Sequence, residues 1–134
     1  MGVSVREVTA AEHEDPAAAV RSTVESAARL WWEHGAVMTS SVTLGTTVPE
    51  LYDRTMQNIA LVREPTVDLL KRYGTVPEAS DDVAAAELVT SLILMCERTF
   101  YDLMRGNPTE NDRDRLVARL GTIWLRAFGI EEHA

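Results

Sequence analysis

Glycine, proline and helix-capping residues divide this sequence into segments in which apolar residues recur every three or four positions. This punctuation constrains the fold more than any other feature, because a strand that is buried on one face needs a period of two instead. No stretch between the breaks shows that two-residue alternation. The pattern therefore predicts an all-α fold, a helical bundle of about five helices.

Capping residues at the N-termini and glycines at the C-termini place the helix boundaries. They predict helices from Pro16 to the residue before Gly35, over residues 36–44, from Thr47 to Tyr73, from Asp81 to Arg105, and from Asn111 to Phe128. Asp15, Thr47 and Ser80 are the predicted N-caps of the first, third and fourth helices. The segment 36–44 is the weakest of the five, because serine and threonine lower its helix propensity.

Length and charge exclude several classes of protein. With 134 residues, 46% of them hydrophobic, the chain can bury one core and not two. The net charge of −8 is opposite in sign to a surface that binds phosphates, so this chain alone is not expected to hold nucleic acid. The N-terminus has no secretory signal and the single cysteine fits a reducing compartment, so the sequence predicts a cytoplasmic protein with no membrane partner.

The predicted fourth helix carries more apolar surface than one neighbouring helix can cover. On a helical wheel its polar residues, Arg98 among them, fall in a narrow strip, and the apolar arc spans roughly half of the circumference. In a chain this short a second copy is the natural cover, and the last helix has a similarly wide face. We therefore expect a homodimer in which the last two helices of each protomer form a four-helix bundle.

The residues predicted at this dimer interface are apolar residues of the last two helices and one glycine: Leu92, Leu103, Leu116, Leu120, Gly121 and Ile123. Gly121 costs roughly 1 kcal/mol of helix stability relative to alanine, which suggests that another backbone approaches closely there. These positions are the expected centre of the four-helix bundle.

Two charged residues lie beside apolar faces and leave alternatives open. Glu97 lies at the edge of the apolar arc, where it either reaches water at the rim or is half shielded beside an internal cavity. Arg63 belongs to an apolar stripe of the third helix, and it either extends to the surface or meets Glu97 across that cavity. Aromatic and methionine residues on such inward faces form a plain core more often than a binding site.

Four segments of the chain occur in the order found in a known family: EHGAVM (33–38), LYDRTMQ (51–57), LILMCERTFYDLM (92–104) and GTIWLRAFG (121–129). Together they resemble the C-terminal effector-binding domain of TetR-family transcriptional repressors, in particular its EthR-like branch, over roughly residues 15–129. The resemblance implies a homodimer whose last two helices form the interface. It also implies an elongated apolar tunnel between the helices, in which a hydrophobic effector binds and changes the spacing of two DNA-binding heads.

Carried over position by position, the resemblance assigns to the tunnel lining Trp31, Met56, Ile59, Ile93, Cys96, Glu97, Phe100 and Trp124. Met38, Tyr52 and Arg63 are further candidates for the lining. Ile93 and Cys96 stand where close relatives have asparagines, which removes the amide groups that fix a polar ligand. The expected pocket is therefore more apolar than that of the relatives, and Glu97, Arg63 and Tyr52 are the remaining polar residues that could contact a ligand. We expect no cofactor and no metal site.

The resemblance also implies a helix-turn-helix head of about fifty residues, whereas only residues 1–14 precede the first helix. We therefore divide the chain into residues 1–14, a leader or a remnant of a linker helix, and residues 15–134, a ligand-binding and dimerisation domain. Contact with DNA is expected only through the missing head. Either this is an excised sensor domain with a start codon added, or it is a naturally headless relative.

Three functions remain open. The first is the effector-binding domain of a repressor, which acts by a population shift between two dimer geometries. The second is an enzyme that acts on a lipophilic substrate with Glu97 as general acid or base, although the sequence has no HExxH, GxSxG, GxGxxG or Walker motif. The third is a dimerisation module without a ligand, which would have a fully packed core.

Overall fold

The computed structural model describes residues 15–132, and within this range every regular element is helical. The elements are α1 (Pro16–Glu33), α2 (Gly35–Gly45), α3 (Pro49–Tyr73), a 3₁₀ helix (Pro77–Ser80), α4 (Asp82–Arg105) and α5 (Glu110–Phe128). The prediction of an all-α bundle of about five helices is confirmed. The leader predicted at residues 1–14 lies outside the described residues.

Side-chain caps hold the N-termini of the first and last helices. The Asp15 carboxylate accepts a hydrogen bond from the backbone N–H of Ala17 at 3.1 Å, and Pro16 occupies the first turn, where no N–H is needed. At α5, Thr109 and Asp112 cap each other's backbone N–H reciprocally. These caps satisfy N–H groups that have no partner inside the helix.

The predicted cap of the third helix is wrong. Helix α3 begins at Pro49 with Val48 as its N-cap, and no side chain caps it. The Thr47 hydroxyl instead donates to the carbonyl of Leu44, 3.2 Å away at the end of α2. Threonine bonds backward to a preceding turn as readily as forward to a helix, and here the backward bond forms.

The predicted cap of the fourth helix is displaced by one residue. Asp81 caps α4, and its carboxylate accepts from the backbone N–H of Val83 at 3.3 Å. The Ser80 hydroxyl donates to the carbonyl of Pro77 at 2.9 Å, inside the 3₁₀ helix. Serine and aspartate are comparably good caps, so the sequence alone does not choose between neighbours.

Four of the five α-helices build the core. Helix α1 packs against α5 and α3 packs against α4, while α2 lies against α3 and α4. The largest fully buried side chains are Val20, Val24, Leu70, Val89, Phe100, Leu120 and Phe128. Helix α2 contributes no buried residue. It therefore lies on the outside of the bundle, where space beside it is left open.

The C-terminus of α5 requires glycine at position 129. Gly129 has a φ of 71°, in the left-handed region, and the N–H of Ile130 bonds to the carbonyl of Leu125 at 2.9 Å. The Thr75 hydroxyl donates to the Gly129 carbonyl at 2.6 Å, and the Thr75 N–H donates to the carbonyl of Phe128 at 2.9 Å. A Cβ at position 129 would collide with that hydroxyl. The end of α5 and the loop after α3 therefore hold each other in place.

We expect Gly129→Ala to lower the free energy of unfolding by about 2 kcal/mol, because the left-handed penalty of a residue with a Cβ adds to the collision with Thr75. Urea unfolding followed by circular dichroism measures this loss. Gly106→Ala is the control, since Gly106 ends α4 at a φ of −88° and its Cβ would find its nearest neighbour, the Leu103 carbonyl, at 3.4 Å. Equal losses in the two variants would contradict the role given to the left-handed conformation.

Candidate ligand-binding site

A cavity of about 570 Å³ lies between the C-terminal half of α2, the N-terminal half of α3 and the middle of α4; we refer to it as the α2–α4 cavity. The residues that line it are Ser41, Val42, Gly45, Thr46, Thr47, Val48, Pro49, Tyr52, Asp53, Thr55, Met56, Ile59, Leu94 and Glu97. Tyr52 and Leu94 are exposed, so the cavity communicates with solvent beside them. Its volume is in the range of pockets that hold small molecules.

Small residues at the end of α2 leave this space open. Residues 41–47 read SVTLGTT, and the serine, glycine and threonine side chains are too short to fill the gap between α2 and α3. On another side of α2 the hydroxyls of Thr43 and Tyr101 lie 2.8 Å apart, which ties α2 to α4. The cavity therefore has a fixed wall on α4 and a wall of short side chains on α2.

Four of the predicted lining residues lie in the cavity wall: Tyr52, Met56, Ile59 and Glu97. The first three follow one another at spacings of four and three residues on α3, so they share one face of that helix. Glu97 faces them from α4. Their part in binding a ligand stays a prediction.

Four other predicted lining residues belong to the core instead: Trp31, Cys96, Phe100 and Trp124. Each is at most 5% exposed, and none lines the cavity. The Phe100 ring centre lies 6.2 Å from that of Trp31 and 5.6 Å from that of Trp32. These side chains pack on one another in the core and form no part of the α2–α4 cavity wall, so their predicted part in binding a ligand stays a prediction.

Cys96 is an inert thiol within that core. The indole N–H of Trp124 donates to its Sγ at 3.2 Å. Burial raises the pKa of Cys96 to about 11, and the hydrogen bond from Trp124 offsets only part of that effect. The thiol is therefore protonated at neutral pH and shielded from reagents.

Three further predicted residues also lie outside the lining. Met38 and Ile93 are partly buried and pack against the core. The guanidinium of Arg63 donates to the Thr90 hydroxyl at 3.4 Å. Of the two alternatives left open for Arg63, the meeting with Glu97 does not occur in this structure: Arg63 bonds to α4 about two turns before Glu97.

The Glu97 carboxylate is half-buried and has no partner. Among residues 15–132, no side chain or backbone group donates a hydrogen bond to it. Burial raises the pKa of Glu97 above its ordinary value, because desolvation disfavours the charged form. The adjacent Arg98 is exposed, as predicted, and its Nε lies 3.2 Å from the Asp102 carboxylate on the surface. Glu97 therefore presents an uncompensated acceptor to the cavity.

Most of the lining was missed by reasoning from the sequence. The missed residues are those of the α2 end and of the following connection, together with Asp53, Thr55 and Leu94. The available signal was a run of short polar side chains in the weakest predicted helix, directly before a face that carries Tyr52 and Met56. Short side chains opposite long ones leave space between two helices.

A second concavity, of about 420 Å³, lies between α1 and α5. Its walls carry charges of both signs, among them Arg21, Glu25, Arg29 and Asp114. The Arg21 guanidinium already holds Glu132 through two hydrogen bonds of 2.6 Å. A groove whose charges are partly paired within the chain needs no ligand to compensate them, so the α2–α4 cavity is the better candidate site.

Four of the six predicted interface residues are buried within one chain: Leu92, Leu116, Leu120 and Gly121. A Cβ at Gly121 would lie 2.6 Å from Nη1 of Arg21, so within the chain the close neighbour of this glycine is a side chain of α1. Other helices of the same chain cover these four, which leaves little of their surface for a partner, and their place in an interface stays a prediction. Leu103 and Ile123 are only partly buried.

Two absences hold for the residues that the structure describes. No group of three histidine, cysteine, aspartate or glutamate side chains in this range could hold a metal ion. Over the same range, no helix combines the length and the apolarity needed to cross a membrane. What the described chain does provide is a cavity with largely apolar walls and two carboxylates, those of Asp53 and Glu97.

The fold and the cavity define an all-α domain with a solvent-open cavity of ligand size. The family model described as "Transcriptional regulator EthR, C-terminal domain" matches residues 20–129, and the chain belongs to this family. It is therefore a regulatory ligand-binding domain of the TetR family, a family of transcription regulators and not of enzymes. No curated protein and no solved structure matches the chain.

Proposed function

We propose that this domain senses a hydrophobic small-molecule effector, which binds in the α2–α4 cavity and changes the geometry of a homodimer. The observation that carries the proposal is an open cavity of about 570 Å³ in a chain of a regulator family. A dimerisation module without a ligand has no need of such a space, since a packed core is more stable than one with a gap.

Helix α4 connects the cavity to the proposed dimer interface. Leu94 and Glu97 line the cavity, whereas Leu88 and Met95 lie on another face of the same helix and keep exposed surface. A ligand that displaces α4 therefore also displaces part of the interface. The displacement acts as a switch when the ligand has different affinities for the two dimer geometries.

DNA recognition is proposed to lie outside this domain. The net charge of −8 opposes binding to the phosphate backbone. As the family resemblance implies, a helix-turn-helix head in the parent repressor would make the DNA contacts. We propose that the parent repressor, which combines effector sensing with DNA binding, acts in the cytoplasm.

We expect Met56→Trp to weaken the binding of a neutral lipophilic dye, Nile red, by at least about tenfold, because the indole occupies the space that the dye needs. Fluorescence titration of the dye measures the dissociation constant. Gln57→Trp is the matched control, since Gln57 is the next residue of α3, is exposed and does not line the cavity.

Circular dichroism and the dimer mass establish that both tryptophan variants fold. A folded Met56→Trp variant that binds the dye as tightly as the parent would overturn the proposed site. Equal weakening in Met56→Trp and Gln57→Trp would also overturn it, because the dye would then bind elsewhere on the protein.

A further inference from the structure

We propose that the α2–α4 cavity selects lipophilic cations, such as quaternary or protonated alkylamines, over neutral and anionic lipophiles of the same length. This inference rests on the proposed function, because it names the class of effector that the cavity takes. It follows from the charges and the shape of the lining.

The lining carries negative charge only. Among the residues that line the cavity, Asp53 and Glu97 are the ionisable acids, and there is no lysine, arginine or histidine. A carboxylate with an opposite charge beside it is normally satisfied by that charge. Glu97 has no such partner within residues 15–132. A cation brought by the ligand would supply the missing charge.

The nearby arginines are held away from Glu97. Arg63 on α3 donates to the Thr90 hydroxyl, and Arg98 on α4 pairs with Asp102 on the surface. Neither guanidinium is part of the lining. A ligand with a carboxylate or phosphate group would therefore meet two like charges and find no donor of opposite sign.

The remaining walls fit an alkyl chain beside a charged head. Met56, Ile59 and Leu94 give an apolar surface, and the Tyr52 ring stands at the exposed side of the cavity. An aromatic face attracts an ammonium group by cation–π interaction. An alkylammonium group is attracted most when it is removed from water on binding. Head and chain thus have separate places, the head between Tyr52 and Glu97 and the chain along Met56 and Ile59.

The experiment uses displacement of bound Nile red from the full chain by three ligands with ten-carbon chains, each below its micelle concentration. The ligands are decyltrimethylammonium, decanol and decanoate, which are cationic, neutral and anionic at neutral pH. We expect the cation to bind about tenfold more tightly than the alcohol, and the anion to bind more weakly than both, because one half-shielded charge pair and one cation–π contact favour the cation.

Two variants assign the preference to Glu97. Glu97→Gln is expected to bring the cation to within about twofold of the alcohol and to leave decanol binding unchanged. Glu87→Gln makes the same change of net charge on the same helix at an exposed position outside the lining, so it is expected to keep the preference. Asp53→Asn, run in parallel, measures the share of the second carboxylate.

The pH dependence gives an independent measurement. The quaternary nitrogen is charged at every pH, so a loss of its binding on acidification reports protonation of the protein. Burial raises the pKa of Glu97, so cation binding is expected to fall as the pH falls through that raised value, while decanol binding stays constant. Asp53, Tyr52 and Arg63 on α3 are the other ionisable groups on this side, and α2 contributes none to the lining.

The outcomes separate the two proposals. Equal affinity for the cation and the alcohol, or a preference that survives the combined Glu97→Gln and Asp53→Asn change, overturns the charge selection and leaves the lipophile site in place. A preference lost only in Asp53→Asn assigns it to Asp53 and overturns the role given to Glu97. Failure of all three ligands to displace the dye, together with unchanged dye binding in Met56→Trp, overturns the site itself.

Discussion

Replacing Phe100 by alanine is expected to lower the free energy of unfolding by about 4 kcal/mol, because a fully buried ring is lost and the surrounding side chains cannot close the gap. Phe100 has no exposed surface, and it contacts the rings of both Trp31 and Trp32. A domain of this size has a total stability of only about 5 to 15 kcal/mol, so the variant should be largely unfolded at moderate urea concentration. Urea unfolding followed by tryptophan fluorescence measures the loss.

Phe100→Leu separates the core from the binding site. It is expected to cost about 1 to 1.5 kcal/mol, because leucine refills much of the space. Since Phe100 does not line the α2–α4 cavity, the leucine variant should bind Nile red with the affinity of the parent. If a folded Phe100→Leu protein binds the dye much more weakly than the parent, Phe100 takes part in ligand binding. That result would contradict its assignment to the core alone.

The sequence predicted helix boundaries well where the signal is local. Asp15 before Pro16 and Gly129 after α5 satisfy the ends of their own helices, and no distant residue is needed to interpret them. Thr47 and Ser80 were assigned wrongly, because a hydroxyl has a choice between the turn behind it and the helix ahead. The outcome depends on how the connecting turn closes, which the one-dimensional pattern does not contain.

The candidate site was less predictable than the fold. A helical wheel tells which side of α4 faces inward, but it does not distinguish a filled interior from an empty one. Phe100 and Glu97 both lie at the inner side of α4, and yet Phe100 is packed among tryptophans while Glu97 faces a cavity. The difference comes from the opposite wall, where α1 supplies aromatic rings and the end of α2 supplies serine, threonine and glycine. Which helix packs opposite a given residue depends on the tertiary structure, and a helical wheel of one segment does not contain it.

The charges beside the apolar stretch of α4 also become intelligible in the structure. Arg98 and Asp102 form a surface ion pair one turn apart on α4. Such a pair stabilises the folded state by only about 0.3 to 0.5 kcal/mol. Glu97, the residue next to Arg98, points about 100° away around the helix, toward the cavity, and remains unpaired. A half-buried charge without a partner disfavours folding, so its presence at the cavity is easier to explain by binding than by stability.

The dimer interface proposed here uses the same two helices as the predicted one and shares Ile123 with it. Leu88 and Met95 are seven residues apart on α4, and Ile123 and Ala127 are four apart on α5, so each pair lies on one face of its helix. All four are partly buried, and therefore retain surface that a second copy can cover. Of these four, Ile123 alone does not pack against the buried core of its own chain, so a partner that covers it adds the most new apolar contact within this set.

We expect Ile123→Glu to weaken dimerisation by at least about 100-fold, because the change places a carboxylate in an apolar interface next to its symmetry-related copy. Sedimentation velocity measures it, since the parent should sediment at twice the chain mass of 14.9 kDa and the variant at the chain mass itself. Asn111→Glu adds one negative charge to the same helix at an exposed position in its first turn, where the helix dipole favours an acid, and it should remain dimeric. A parent protein that sediments as a monomer at high concentration removes the dimer from the mechanism. An Ile123→Glu protein that stays dimeric places the interface on another face of the chain. The coupling between the ligand in the α2–α4 cavity and the partner would then not run through the outer surface of α4 and α5.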